Sequence, residues 1–302
     1  MRYASPLRYP GGKAGLTGFL TDVIDLNDLR GCAYFEPYAG GAGAALGLLK
    51  RDVVSVIHLN DADRRVYALW CSVLHAHERF MEHIRSVPLT IQEWHRQYAI
   101  CANPTGGHDQ FDVGFAAFFM NRCNRSGVLT GSGPIGGHAQ EGKWRMDVRF
   151  NRDALCERIA ALARMRDRIE LSNEDAIEFL KARLPRGRGR TRVFVYLDPP
   201  YVHNGQRLYL NAYRQEDHIA LARYVKLLRG LRWIMSYDDS DLVRTLYARF
   251  SVRFLPIRYT LQDKRAAREL IIAPDHVALP QACRVHGQES LLLTAKQSRV
   301  PT

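Results

Sequence analysis

Four consecutive residues, Asp198, Pro199, Pro200 and Tyr201, place a carboxylate, two prolines and an aromatic ring directly after the apolar, β-type run 192–197. Each proline pushes the residue before it out of the helical region and carries no N–H, so Asp198 and Pro199 are held extended with no donor between them. The Asp198 carboxylate and the Pro199 carbonyl thereby form a wall of acceptors, suited to a planar amino group with two hydrogens to give. Tyr201 adds a flat face on which the ring bearing that amine can stack. The end of a strand is also where open α/β sheets bind their ligands. The plainer alternative, prolines that merely end a strand, explains the tetrapeptide but not the motifs that accompany it.

A strand carrying such a group needs neighbours, and the chain supplies strands in alternation with helices. Residues 33–36 read as a strand, followed by Pro37-Tyr38-Ala39-Gly40-Gly41-Ala42-Gly43 and a helix over 44–50. A strand, a small-residue loop and a helix N-terminus present outward-facing N–H groups that a ligand can approach closely. The spacing is not G-x-G-x-x-G, which disfavours a nicotinamide cofactor. A second strand over 53–59 closes on Asn60-Asp61. An acidic residue there, about 20 residues past the glycine loop, is placed to accept hydrogen bonds from ribose hydroxyls; the alternative is an N-cap for a helix over 64–74. A third strand at 168–171 leads to Asn173-Glu174-Asp175 at a helix start. Strands at 232–237, 252–259 and 269–273 complete the sheet, the last two antiparallel, with helices over 215–228 and 239–248 between them. At the other end of the chain, Tyr9 precedes a glycine turn that ends in Lys13, ahead of a helix over 14–24.

Between residues 75 and 152 the α/β rhythm stops. This segment is rich in His, Trp, Arg, Gly and Asn, and contains a helical stretch near 109–122, then Asn121-Arg122-Cys123-Asn124-Arg125-Ser126-Gly127, a glycine-dense loop over 131–137, and Lys143-Trp144-Arg145. Arg and Asn beside glycine turns can reach phosphates and base edges. The segment therefore reads as an inserted recognition subdomain, against the alternative of a solvated insert. Two further basic stretches, one around Arg188 ahead of the Asp198 strand and one around Arg265 between the last two strands, can contact phosphates or simply be solvated.

Composition narrows the partners. With 302 residues, 46% of them hydrophobic, the chain can bury one large core with a smaller insertion. Its formal net charge of +12, carried mostly by arginine, favours a polyanionic partner, with nucleic acid first. No apolar run approaches the ~18 residues of a membrane span and no signal peptide is legible, so a cytoplasmic protein is expected. The six cysteines are scattered without a C-x-x-C pair, which supports neither a metal site nor a disulfide framework.

Taken as an ordered set, R-Y-P-G-G-K (8–13), F-E-P-Y-A-G-G-A-G (35–43), N-D (60–61), N-R-x-N-R-S-G (121–127) and D-P-P-Y (198–201) resemble the Dam-like, D12 class adenine-specific DNA methyltransferases from residue 5 to about 275. The resemblance implies an α/β, class I S-adenosylmethionine-dependent methyltransferase fold: a Rossmann-like seven-stranded sheet with an inserted target-recognition subdomain. It implies a catalytic domain over 1–74 and 153–280, a recognition insert over 75–152 and a C-terminal tail over 281–302. It further implies S-adenosylmethionine as cofactor, contacted by Tyr9, Lys13, Pro37, Gly40, Gly41, Gly43, Asp61, Asp175 and Asp198. Asp198, Pro199 and Tyr201 would then grip a flipped-out adenine, and Asn121, Arg122, Asn124, Arg125, Ser126, Lys143, Arg188 and Arg265 would meet double-stranded DNA. No metal is implied. The same acceptor clamp also suits adenine in RNA or a glutamine amide, and a non-catalytic DNA-binding subunit can keep this fold; the positive charge disfavours the protein substrate and the intact clamp disfavours the subunit. The recognition sequence, the oligomeric state and any restriction or defence-system partner stay open.

Overall fold

A computed structural model describes residues 4–8, 12–202, 213–256, 268–285 and 288–294. Tyr9 and Arg265 lie outside them. Strands β1 (Cys32–Glu36), β2 (Val54–Asn60), β3 (Ile169–Ser172), β4 (Val193–Leu197) and β5 (Arg232–Asp238) are parallel to their neighbours, in the spatial order 3-2-1-4-5. Next to β5, β7 (Arg268–Ala273) runs antiparallel, and β6 (Ser251–Pro256) pairs on its far side. This is the seven-stranded, mostly parallel sheet that the resemblance implies. Strand order reverses between β1 and β4, which opens a crevice at the carboxyl ends of the two strands. The Val-Phe-Val-Tyr-Leu run of β4 is buried throughout, as a central parallel strand covered on both faces requires.

Beyond these seven strands the chain is more ordered than its pattern suggests. Past Pro280, where the resemblance implies only a C-terminal tail, β8 (Ala282–Val285) and β9 (Gln288–Leu291) pair antiparallel, and β10 (Leu293–Thr294) extends the sheet beside β6. These strands are short and lack an alternating apolar signature, so nothing in their composition announced them.

The period of two along each strand divides the core. Val195 and Leu197 of β4, Trp233 and Met235 of β5, and Leu270 and Ile272 of β7 point to one side of the sheet; Phe194, Tyr196, Ile234 and Ile271 point to the other. On the second side lie α1 (Thr17–Leu26), α2 (Gly43–Lys50) and α3 (Arg64–His75). The expected helix over 14–24 begins as a 3-10 turn, Lys13–Leu16, before α1. The inserted segment is mainly helical, with α4 (His77–Ser86), α5 (Ile91–Ala102) and α6 (Gln110–Cys123). Helix α6 packs against α3 and α5, while α4 packs against α7 (Arg152–Ala163). Phe80, Phe115, Phe118 and Phe150 therefore share one continuous core with Leu69 and Trp70 of α3. Because of that shared core, the loop that follows α6 is anchored to the sheet.

Candidate active site

Four polar side chains stand on one face of the sheet, at the ends of four adjacent strands. Glu36 ends β1, Asp198 follows β4, Ser236 lies near the end of β5, and Glu269 stands at the start of the antiparallel β7, opposite Asp238. They share a face because each keeps the parity of its strand's inward residues: Tyr34, Tyr196, Ile234 and Ile271. One step down, Tyr34 donates to Glu36 at 3.0 Å and the Tyr196 hydroxyl meets Ser236 at 2.7 Å. Ser236 in turn donates to Asp198 Oδ1 at 2.7 Å, which aims the carboxylate.

Lys13 closes this group from above. Its Nζ is 3.1 Å from Asp198 Oδ1, 2.9 Å from Glu269 Oε1 and 2.7 Å from the Tyr201 hydroxyl, which it reaches as donor. Tyr201 donates to Glu269, and its ring is tilted against Tyr237 at 6.1 Å. Burial pushes the Asp198 carboxyl above the ordinary range; the Lys13 ammonium pulls it back, Glu269 adds to the push, and the Ser236 hydroxyl opposes it. Glu36 is pushed up to about 8, again chiefly by burial and with Asp198 contributing, against the hydrogen bonds from Tyr34 and the Ala45 N–H and the charge of Lys13.

A raised carboxyl means that the native state holds a proton the unfolded chain has released. The stability this contributes is complete below the ordinary carboxylate pKa of 4.5 and is lost as pH rises through about 8. Replacing Glu36 with the uncharged, isosteric Gln is expected to flatten that decline, so that Glu36→Gln loses less Tm than wild type between roughly pH 5 and pH 9. Parallel melting curves across that range would refute it.

Of the expected cofactor residues, Pro37, Gly40, Gly41, Gly43, Asp61 and Asp175 stand at the carboxyl ends of β1, β2 and β3, whereas Lys13 and Asp198 belong to the group just described. Asp61 accepts from the Gly40 N–H at 2.8 Å through one oxygen and from the Asp63 N–H at 2.9 Å through the other, and so fixes the glycine loop against the end of β2. Burial, with Asp63 adding, pushes its carboxyl up to about 7. Asp63, not Asp61, caps α3. Asn60 holds the crevice together by donating to the carbonyls of Pro37 and Glu174, both at 3.0 Å, and accepting from the Glu174 N–H at 2.9 Å. Asp175 is exposed, and its Oδ1 caps the helix Ala176–Arg183. Gly41 is buried in the loop. Gly43 has a packing reason to be glycine: a Cβ there would lie 2.9 Å from Ala14 Cβ, where α2 meets the 3-10 turn that carries Lys13.

Around the recognition loop the structure corrects the expectation for three residues. Asn121 is fully buried, accepting from the Arg8 N–H at 2.8 Å and donating to the carbonyls of Arg8 and Gly127. Asn124 is also fully buried, accepting from Trp94 Nε1 at 2.7 Å and donating to the Val128 carbonyl at 2.8 Å. Arg122 is buried and donates to the carbonyls of Pro6 and Arg149. Held in this way, these side chains have no edge to offer a base; Asn121 and Arg122 pin the loop to Arg8 and Pro6, and Asn124 pins it to Trp94 of α5. Gly127 sits at φ +75°, and a Cβ there would overlap the Arg8 carbonyl. Arg65, buried at the start of α3, ties the loop from its other side by donating to Thr130 at 3.2 Å. Arg125, Ser126 and Lys143 are exposed, as is Trp144, which is 60% accessible.

Asn124→Ala would leave the Trp94 N–H and the Val128 carbonyl buried without this partner, at a cost of about 1–3 kcal/mol. The expected result is a Tm lower by several degrees, with the preferred DNA sequence unchanged among the products that still form. A change of sequence preference at undiminished Tm would restore Asn124 as a base reader.

Arg188 lies where the sequence could not place it. It is exposed in the stretch Gly187–Arg192 that precedes β4, whereas Asp198 follows that strand, so the two are separated by its full length, about 16 Å at the rise of a β-strand. Arg192 there donates to the carbonyls of Asp28 and Arg30. The basic run therefore borders the amino ends of the strands, away from the site. Glu269 and Ser236 went unremarked in the sequence, although the pattern held a signal: read as β7, Arg-Glu-Leu-Ile-Ile-Ala puts a carboxylate on the face of Ile271 and at the strand end nearest Asp198.

Among the described residues no His, Cys, Asp and Glu cluster could hold a metal ion, and no helix is long and apolar enough to cross a membrane. No curated protein matches the chain. The D12 class N6 adenine-specific DNA methyltransferase family matches it over residues 9–258, a span that includes the glycine loop, Asp61, the segment 75–152 and Asp198. With most of its length matched and its sheet in the order this fold requires, the chain belongs to the D12 class N6 adenine-specific DNA methyltransferases.

Proposed function

We propose that the enzyme binds S-adenosylmethionine across the carboxyl ends of β1, β2 and β3, and takes its target adenine, flipped out of duplex DNA, at Asp198, Pro199 and Tyr201. The observation that carries this reading is the placement of Asp198: aimed by Ser236, followed by two residues without N–H groups, and set at the strand-order reversal beside the glycine loop. The donor set fits the cofactor. Asp61 and Asp175 offer carboxylate oxygens suited to ribose hydroxyls and an adenine amine, and the glycine loop is held in place by Asp61 itself. When bound, the cofactor supplies a methyl group on an electron-poor sulfur.

The residues of the chain have to make a poor nucleophile competent. The lone pair of the adenine amine is delocalised into its ring; two acceptors on its hydrogens, Asp198 and the Pro199 carbonyl, favour a tetrahedral nitrogen with the lone pair free. A strong base is unnecessary, because the nitrogen becomes acidic as it gains the methyl group. A base inside a duplex cannot reach a carboxylate at the floor of a crevice, hence the flip, at a few kcal/mol of unstacking. Exposed Arg125, Ser126 and Lys143, on a loop fixed to the site by Asn121 and Arg65, are placed to contact the duplex around that base.

S-adenosylmethionine is expected to raise the Tm, because it binds the native state alone, by about 2.7 kcal/mol of stability at 100 times its Kd. Asp61→Ala should shrink that shift strongly by losing a ligand and freeing the Gly40 loop together. Equal shifts in the two proteins would remove Asp61 from the cofactor site. Nucleoside mass spectrometry of duplex DNA, RNA and peptide substrates after incubation decides the target; product on RNA or peptide alone would overturn the reading.

A further inference from the structure

Lys13 stands on the acceptor that the adenine amine needs. Its ammonium lies 3.1 Å from Asp198 Oδ1, and an ion pair there competes directly with an N–H of the base. The same ammonium lies 2.9 Å from Glu269 Oε1, with Lys13 at 7% and Glu269 at 1% side-chain exposure. Stripped of water, neither charge can be left without a counter-ion, so Lys13 can release Asp198 only if another carboxylate retains it. Glu269 is that carboxylate, fixed on the rigid β7 strand by register and linked to Tyr201 through the tyrosine hydroxyl.

We infer that Glu269 is a positioning residue for methyl transfer: it holds the Lys13 ammonium when the target amine arrives, leaving the Asp198 carboxylate as acceptor, and steadies the Tyr201 hydroxyl beside it. The inference rests on the reading of Asp198 as the amine acceptor. It assigns a function to the antiparallel strand β7, which lies outside the D-P-P-Y and glycine motifs in the sequence. In this arrangement Lys13 lies within ion-pair distance of both Asp198 and Glu269, and the occupancy of Asp198 follows from which one keeps it.

The test is a set of full-length variants assayed for N6-methyladenine on short duplex DNA, with folding followed by thermal melts. Glu269→Gln, close in shape but uncharged, should lower kcat substantially, up to about 10²-fold, with KM for both substrates changed far less. Glu269→Asp should recover part of the loss. In a Lys13→Met background, where no ammonium can block Asp198, Glu269→Gln should cost little more, because residues acting as a unit are not additive. An equal loss in both backgrounds would overturn the proposal by making Glu269 act independently of Lys13. Each loss is read as a ratio within its own background at saturating S-adenosylmethionine, so any loss from Lys13→Met itself, which removes an expected cofactor contact, does not enter the comparison. If Glu269→Gln alone does not fold, the comparison of Lys13→Met with the double variant, which has lost both charges, carries the test. Asp198→Ala is assayed alongside: full activity there would sink the reading of Asp198, whereas an inactive Asp198→Ala with additive Glu269 and Lys13 effects would sink the present inference alone.

Discussion

Asp198→Ala is expected to reduce N6-methyladenine formation by about 10²–10³-fold while leaving the protein folded and the cofactor-induced Tm shift largely in place. The size follows from removing the group that meets the reacting amine in a dehydrated crevice, where one such contact is worth about 10²–10³ in rate. The structure also states why the fold survives. Asp198 lies past the end of β4, whose five residues are buried by their own apolar side chains. Its partners keep other partners: Ser236 retains Tyr196, and Lys13 retains Glu269. Removing the carboxyl also removes the burial cost that holds it above its ordinary range, which offsets the lost contacts to Lys13 and Ser236, so the melting temperature of Asp198→Ala at neutral pH should stay close to that of wild type. Asp198→Asn keeps one acceptor oxygen but adds a donor, so its rate should fall short of wild type without vanishing. A folded Asp198→Ala protein that methylates at the wild-type rate would end the proposed mechanism.

How far the sequence reached depended on the kind of signal. Strands β1 to β5 were legible because each is an apolar run bounded by turn residues, and the motifs at their ends fell at the carboxyl edge as α/β sheets require. Asp61 and Asp198 stand at those ends. In the insert, α6 was legible as the helical stretch near 109–122, whereas α4 and α5 went unread within a segment that its His, Trp, Arg, Gly and Asn content marked only as an interruption of the α/β rhythm. Asn121, Arg122 and Asn124 misled for a different reason. An Asn or Arg beside a glycine turn suits a base edge and a loop carbonyl equally well, and only burial tells them apart. Arg188 is close to Asp198 in the chain, with nine residues between them, but those residues include a whole extended strand. Glu269 required a register, since its face and its end of the sheet follow from β7 running antiparallel between β5 and β6.

Tyr201→Ala should lose most of the activity, and Tyr201→Phe a smaller but measurable part. The ring is the proposed platform for the extrahelical adenine, and a base stacked on an aromatic side chain is worth about 1–3 kcal/mol. Alanine removes that and also leaves Lys13 and Glu269 without the hydroxyl between them. From the sequence alone Phe should be nearly as good as Tyr, since stacking needs only the face. The structure shifts that expectation: the hydroxyl accepts from Lys13 at 2.7 Å and donates to Glu269, so Phe keeps the platform but frees it from the network that orients it. A loss of about 1 kcal/mol, or roughly fivefold in rate, is the expected scale for a hydrogen bond of this kind. The two substitutions should also differ in what they disturb. Duplex DNA carrying a fluorescent adenine analogue at the target position should show a weaker extrahelical signal with Tyr201→Ala than with wild type, because the ring that holds the flipped base is gone, whereas Tyr201→Phe should hold the base as well as wild type and turn it over more slowly. Alanine and phenylalanine variants with the same rate would assign the role to the hydroxyl, and an alanine variant with unimpaired base capture would remove Tyr201 from the platform altogether.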